Sequence, residues 1–281
     1  MKKFTLSLTM IISAFIAYGQ GAFKFNNHGG GFNVSIGTQA IDFEKWYGVD
    51  GLKMNTPQRE WKFNNANDDT KRIDSIRWGS PGNSLIKLGF QGYGVVSDII
   101  LGGEFSVGIG GKKEQNNTYK TLDSIPETVD YKTYVRPYTA EVLFNVGLVA
   151  YRSKGFIAYP LLGIGYGATA LRLQDDRPNR TYPEFTRALT EDDNIQNVIV
   201  WQRNLVADLG FGLQYLLGSS SSDKAKGFSI GVRAGYRIQP ASSDLQLNSK
   251  SVPTNTIGDP SLPANGFYVK LLLGFGKIGE R

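Results

Sequence analysis

The chain has 281 residues, of which 34 are glycine, one is histidine and none is cysteine. No cysteine excludes a disulfide scaffold, thiolate metal centres and a cysteine nucleophile, and a single histidine excludes a multi-histidine metal site. Lys and Arg number 31 against 25 Asp and Glu, a formal +6, while glycine at about 12%, against a usual share of about 7%, argues against a helical protein.

The N-terminus reads as an address. Lys2 and Lys3 precede an apolar stretch from Phe4 to Ala17, and Ala17-Tyr18-Gly19 puts small residues where a signal peptidase reads. That layout predicts a cleaved secretory signal over 1–19. The stretch is shorter than the ~20 residues a helix needs to span a bilayer. With no cysteine after it, a lipoprotein anchor is excluded. The Ala-Tyr-Gly-Gln junction resembles those of exported Bacteroidota proteins. Residues 20–31 follow as a periplasmic segment, and beyond residue 20 no apolar run reaches 18 residues, so any membrane crossing must use strands.

The rest alternates with period two, which predicts eight strands: 32–43, 84–96, 98–111, 135–151, 155–172, 201–217, 227–238 and 265–276. In 227–238, Phe228, Ile230, Val232, Ala234 and Tyr236 oppose Ser229, Gly231, Arg233, Gly235 and Arg237. In the last strand, Phe267, Val269, Leu271, Leu273 and Phe275 oppose Tyr268, Lys270, Leu272, Gly274 and Gly276. In 135–151, Tyr138, Ala140, Val142, Phe144, Val146 and Leu148 oppose Thr139, Glu141, Asn145 and Gly147.

The connections alternate in length. Long ones are 44–83, 112–134, 173–200 and 239–264; short ones are Ser97-Asp98, Arg152-Ser153-Lys154 and 218–226. Long and short connections therefore lie at opposite ends of the array. This predicts an all-β fold, an eight-stranded antiparallel up-and-down transmembrane β-barrel over 32–276, with short periplasmic turns, long extracellular loops and a periplasmic tail at 277–281.

A soluble lipocalin-like barrel would also alternate, with its apolar face inward. Three features decide against it. Fifteen strand glycines fall on the polar face and only Gly92, Gly94 and Gly103 on the apolar one. A glycine-rich face suits a cramped eight-stranded interior better than a water-facing surface. The apolar face also ends in aromatics: Phe228/Tyr236, Phe267/Phe275, Phe156/Tyr166 and Phe211/Tyr215, like two interfacial girdles. Finally, the segments reach the ~9–11 residues a tilted strand needs to cross the apolar band.

The signal, strand number and loop asymmetry resemble an OmpA/OmpX-type eight-stranded outer-membrane barrel and, more loosely, the PorT-like outer-membrane β-barrel proteins of Bacteroidota. The likeness is architectural and carries no family motif. Gly266 to Phe275 resembles the assembly signal read by the barrel-insertion machinery, although Gly276 to Arg281 follow it. The PorT likeness implies an alternative role as a component of an outer-membrane export machine, in type IX secretion, contacting partners through its periplasmic turns.

On the inward face stand Lys87, Arg233, Arg237 and Lys270 with Glu104, Glu141 and Asp208, joined by Gln91, Asn145, Asn204 and Gln214. Buried charges persist only when paired. The expectation is an interior salt-bridge network that plugs the lumen, rather than a porin-like pore or ion path. The other basic residues include Arg152, Lys154, Lys224, Lys226, Lys277 and Arg281, at the periplasmic turns and tail. The long loops are mixed in sign, so nucleic acid is not expected as a partner.

Loop 44–83 holds Trp46, Tyr47, Trp61, Phe63 and Trp78, which are expected to pack within the loop, or on strands that run on past the membrane as hairpins, rather than to anchor a partner or carbohydrate. Loop 239–264, with Pro240, Pro253, Pro260 and Pro263, is expected to be mobile. Asp-Ser-Ile occurs at 74–76 and 123–125 and resembles a short O-glycosylation signal on Ser75 and Ser124; three residues recur readily by chance. Gly163 to Gly167 has the composition of a phosphate loop but lies inside a strand and lacks the Lys-Ser/Thr pair.

Catalysis is not expected. Lipid A deacylases and palmitoyltransferases resemble this architecture and use a histidine near the outer rim. The one histidine, His28, precedes the first strand on the periplasmic side, out of hydrogen-bond reach of an outer-leaflet substrate. The loop carboxylates Asp175, Asp176, Asp192 and Asp193 read as solvated turns rather than a hydrolase or a weak calcium site. The chain is thus expected in the cell outer membrane, with no cofactor or metal. Its expected partners are outer-membrane lipid and lipopolysaccharide, the barrel-insertion machinery, and envelope proteins met by its loops.

Overall fold

The computed structural model describes residues 28–41, 83–120, 128–153, 155–176, 197–218, 220–221, 224–247, 250–251 and 262–279. They form β1 (His28–Ala40), β2 (Ser84–Val96), β3 (Ile99–Gly110), β4 (Lys113–Lys120), β5 (Thr128–Leu148), β6 (Tyr151–Ser153), β7 (Phe156–Asp175), β8 (Asn197–Leu217), β9 (Ser220–Ser221), β10 (Lys224–Ser242), β11 (Gln246–Leu247), β12 (Lys250–Ser251) and β13 (Gly266–Gly279). Among the described residues there is no helix. Eight strands, β1, β2, β3, β5, β7, β8, β10 and β13, pair antiparallel in that order, and β13 returns to β1. The fold is a closed eight-stranded antiparallel barrel. The remaining segments extend it: β4 on β5, β6 on β7, β9 on β10, and a small β11–β12 hairpin on β8.

The registers fix the barrel's size. From Asn33, the rung through Gln91, Glu104, Leu143 and Gly165 arrives on β8 at Val206. In the other direction, through Gly274 and Ser229, it arrives at Leu216. This stagger of ten residues tilts the strands by about 40° and gives a backbone radius of about 8 Å, room for side chains and little else. Gly30 pairs with Lys277 at the end that carries the turn at Ser97 and Asp98. Both ends of the described chain therefore lie at the short-turn end.

The strands run further than their apolar alternation. β1 starts at His28 rather than 32 and stops at Ala40 rather than 43. β13 continues past Phe275 because Lys224–Gly227 still pair with Gly276–Gly279. The second long connection, 112–134, is corrected most: Lys113–Lys120 pairs with Thr128–Val135, and only its tip, 121–127, lies outside the described residues. Its sequence KEQNNTYK is polar on both faces, so the hairpin leaves no alternating signal.

Prolines sit where the ladder breaks, because they lack the N–H it needs. At Pro137, pairing with β3 ends and pairing with β4 begins. Gly110 makes room for that ring: a Cβ there would lie 2.3 Å from Pro137 Cγ. Pro160 marks the change from β5 to β6 along β7. Pro240 lies within the register shift between Ile238 and Ala241.

The two faces divide as the alternation predicts. Outside, Leu162, Ile164, Leu209, Phe211, Val232 and Val269 are exposed in a band that circles the barrel. Phe228 meets Phe275 edge-on at 5.6 Å at one margin, and Tyr236 meets Phe267 at 4.7 Å towards the other. Inside, glycine makes room for tyrosine. A Cβ on Gly212 would fall 2.4 Å from the Tyr159 ring, whereas one on the outward Gly92 would meet nothing within 4 Å.

Candidate functional site: the charged lumen

The seven inward charges come from six strands: Lys87 on β2, Glu104 on β3, Glu141 on β5, Asp208 on β8, Arg233 and Arg237 on β10, and Lys270 on β13. None is more than 7% exposed, so they do not line a water-filled channel. Period-two alternation turns each side chain inward, and the ten-residue stagger brings them to a common level.

They form one network. Glu104 accepts from Arg233 at 2.9 Å, from Lys270 at 2.6 Å and from Arg237 at 3.3 Å. Glu141 pairs with Lys87 and Arg237, and Asp208 with Arg233, lying 3.7 Å from Arg237. Four cations meet three anions within a low-dielectric interior. Such pairing offsets the desolvation of each ion only because the geometry is dense.

Tyr268 is the part of this site that charge alone does not reveal. Its hydroxyl accepts from Arg233 Nε at 3.0 Å and donates to Asp208 at 3.1 Å. Its ring lies 5.0 Å from the Arg237 guanidinium and 5.3 Å from Lys270 Nζ. Alternation places Tyr268 inward beside Lys270; its role follows from what crosses the barrel to meet it.

The ionic layer lies between neutral ones. Towards the short turns, Ser229 donates to Asn33 at 2.8 Å and Gln214 to the Tyr93 hydroxyl at 2.9 Å. Below them Tyr93, Val95, Ile100, Ile157, Tyr159, Leu161 and Leu216 close the barrel with an apolar cluster. Gln91, Asn145 and Asn204, expected in the network, are buried in or beside these layers. Asn204 donates to Thr169 at 3.0 Å, and neither amide atom of Asn145 has a hydrogen-bond partner among the described residues.

Towards the long loops, three glutamines hold a strap across the mouth. Gln39 donates to the Ala264 carbonyl at 2.7 Å, Gln239 accepts from the Ala264 N–H at 2.7 Å, and Gln202 accepts from the Leu262 N–H at 2.7 Å. Leu262 and Ala264 are fully buried, and Leu245 is buried with them. Both described ends of connection 239–264 are thus fixed; 248–249 and 252–261 lie outside the described residues. Above the strap's level, Val135, Leu171, Leu173 and Val200 add a second apolar layer.

Other sequence candidates fall elsewhere. His28 begins β1, its backbone paired with Val96 at the short-turn end. Asp176 is exposed and accepts from Gln174 at 3.1 Å; Asp192 and Asp193 lie outside the described residues, as does the side chain of Asp175. So do the signal segment, the aromatics of 44–83 from Trp46 to Trp78, and both Asp-Ser-Ile tripeptides.

No family model matches the chain, and no curated protein matches it. Among solved structures, the outer membrane protein AlkL in DMPC lipid bilayers matches at 11% identity and TM-score 0.26, over 93% of both chains. The outer membrane protease OmpT from Escherichia coli matches at 9% identity and TM-score 0.31, over 93% of this chain and 100% of that one.

Proposed function

We propose that this chain is an integral barrel of the outer membrane of a Gram-negative bacterium, exported on a signal cleaved after Gly19. It acts without catalysis, as a rigid platform that holds its long-loop end outward for binding, adhesion or envelope integrity. The charged lumen is a structural plug rather than a pore.

The observation that carries this reading is the inverted distribution of side chains. The interior holds Arg, Lys, Glu and Asp, while the exterior carries a continuous apolar belt from Phe32 on β1 round to Phe275 on β13. A water-soluble monomer rarely exposes a contiguous apolar patch beyond a few hundred Å². A bilayer demands such a belt, about 25 Å tall with aromatic margins, around a closed sheet with no unpaired edge. The partners this implies are outer-leaflet and inner-leaflet lipid, the barrel-insertion machinery and envelope proteins.

The test is Leu162→Arg, at a belt position 63% exposed. In lipid vesicles this change should cost about 2–4 kcal/mol of unfolding free energy near the bilayer midplane. A neutral effect there, or recovery of the protein in the soluble fraction of cells, would sink the membrane reading.

A second reading is a PorT-like subunit of a type IX export machine. It draws on the short-turn end, where Arg152 donates to the Ser97 carbonyl at 2.8 Å and Val149 N–H donates to the Asp98 carbonyl at 2.7 Å. These bonds tie neighbouring turns into one ordered surface that a periplasmic partner could use.

A further inference from the structure

The strap at the mouth and the ionic layer are joined by side chains. Lys87 donates on one side to Glu141, inside the network, and on the other to Gln39 Oε1 at 2.8 Å. Gln39 Nε2 in turn donates to the Ala264 carbonyl at 2.7 Å. The line from Glu141 to Ala264 thus runs from β5 through β2 and β1 to the strap. Glu141, Lys87, Gln39 and Ala264 are all buried, so bulk water does not compete along it.

The two ends of the Gln39 amide fix its orientation. An ammonium can only donate and a carbonyl can only accept, so the amide oxygen faces Lys87 and the amide nitrogen faces Ala264. Turning the amide over would set N–H against N–H and oxygen against oxygen. Lys87 thereby aims the Gln39 donor at the strap. The other two glutamines are held differently. Gln202 accepts from the Leu262 N–H and donates to the Ser243 carbonyl at 2.6 Å, both backbone groups. Gln239 accepts from the Ala264 N–H, and its own Nε2 has no hydrogen-bond partner among the described residues. Hydrogen bonds to an ionised group are the stronger ones, and a low-dielectric interior strengthens them further. A contiguous chain of such bonds is a physical route for coupling between two sites.

We infer that Lys87 latches the strap to the charged layer, so that closure of the barrel mouth by residues 262–265 depends on the Glu141–Lys87 ion pair beneath it. Lys87 and Gln39 are positioning residues: Gln39 holds Ala264, and Lys87 acts on Ala264 through Gln39. The relay stands on the interior geometry, and its failure would leave the membrane reading untouched.

The chain has no cysteine, so Ala264→Cys gives a single buried thiol in the full chain refolded in detergent micelles. Its rate of reaction with a maleimide reads local opening of the strap. Lys87→Met should speed that reaction at least tenfold, and Glu141→Gln, which removes the anion behind Lys87, at least threefold. Tyr268→Phe weakens the network without touching Lys87 and should leave the rate within twofold. Gln39→Leu should match Lys87→Met, and the double variant should be no faster than Gln39→Leu alone, because both remove one relay. A merely structural role for Lys87 would add to the effect of Gln39→Leu. Hydrogen exchange of the Ala264 N–H in the cysteine-free chain repeats the comparison without the new thiol. Should Lys87→Met not refold, Glu141→Gln against Gln39→Leu carries the same comparison. Unchanged rates in Lys87→Met or Glu141→Gln, additive effects of Lys87→Met and Gln39→Leu, or equal acceleration by Tyr268→Phe would overturn the inference.

Discussion

Glu104 on β3 meets Arg233 on β10 at 2.9 Å across the full width of the barrel. The two strands are four places apart in a ring of eight, so this pair is a diameter of the barrel rather than a contact between neighbours. Lys270 and Arg237 converge on the same carboxylate. Glu104 is therefore the lumen anion that three cations share, although Arg233 and Arg237 also pair with Asp208 and Glu141.

Removing it should be costly. Glu104→Gln leaves buried cations under-compensated and should lower unfolding free energy by about 3–5 kcal/mol. Urea unfolding in lipid vesicles measures this. The double change Glu104→Gln with Lys270→Met removes one charge of each sign and should recover part of the loss. If the double variant is no more stable than the single one, the pairing account is wrong.

Tyr268→Phe keeps the ring beneath Arg237 and Lys270 but deletes the hydroxyl between Arg233 and Asp208. The expected cost is about 1–3 kcal/mol, that of a buried polar group left unsatisfied. A double-mutant cycle with Asp208→Asn should show coupling, since the two share that bond.

Two glycines should respond differently to the same added methyl. Gly212→Ala drives a methyl into the Tyr159 ring and should destabilise the barrel by about 1–3 kcal/mol through overpacking. Gly92→Ala adds a methyl where nothing lies within 4 Å, and should change stability by about 0.5 kcal/mol or less, as ordinary surface substitutions do.

The strap across the mouth can be followed by hydrogen exchange. Gln239→Ala removes the acceptor for the Ala264 N–H, and that amide should exchange markedly faster while amides of β1 and β13 do not. Unchanged protection at Ala264 would mean that Gln39, Gln202 and the burial of Leu262 hold the strap without Gln239.

Role can be separated by end. Deleting 44–82 should abolish a loop-borne binding function and spare one based on periplasmic contacts. Crosslinked pull-down from outer membranes reads the difference: recovery of a defined secretion complex by the loop-deleted chain would favour the PorT-like reading over the platform.

The proline positions show why strand ends were harder to read than strands. Pro137 and Pro160 lie inside the strands predicted by alternation, and each marks a change of partner. Nothing local distinguishes a ladder break from a strand end. Lys113–Lys120 carries no strand signal for the opposite reason: it runs beyond the apolar belt, both its faces are polar, and its strand state is imposed by β5. The glutamines of the strap were invisible as a set because Gln39, Gln202 and Gln239 come together only when β1, β8 and β10 close around residues 262–265.

By itself the sequence determined the all-β class, the eight strands, the face of each side chain and the identity of the seven lumen charges. A strand's period of two is a local property that each segment carries. The tertiary structure alone decided which charges meet. Pairing across a diameter depends on the stagger accumulated round the ring, ten residues here. A different stagger would move Glu104 away from Arg233 without changing a single residue's face.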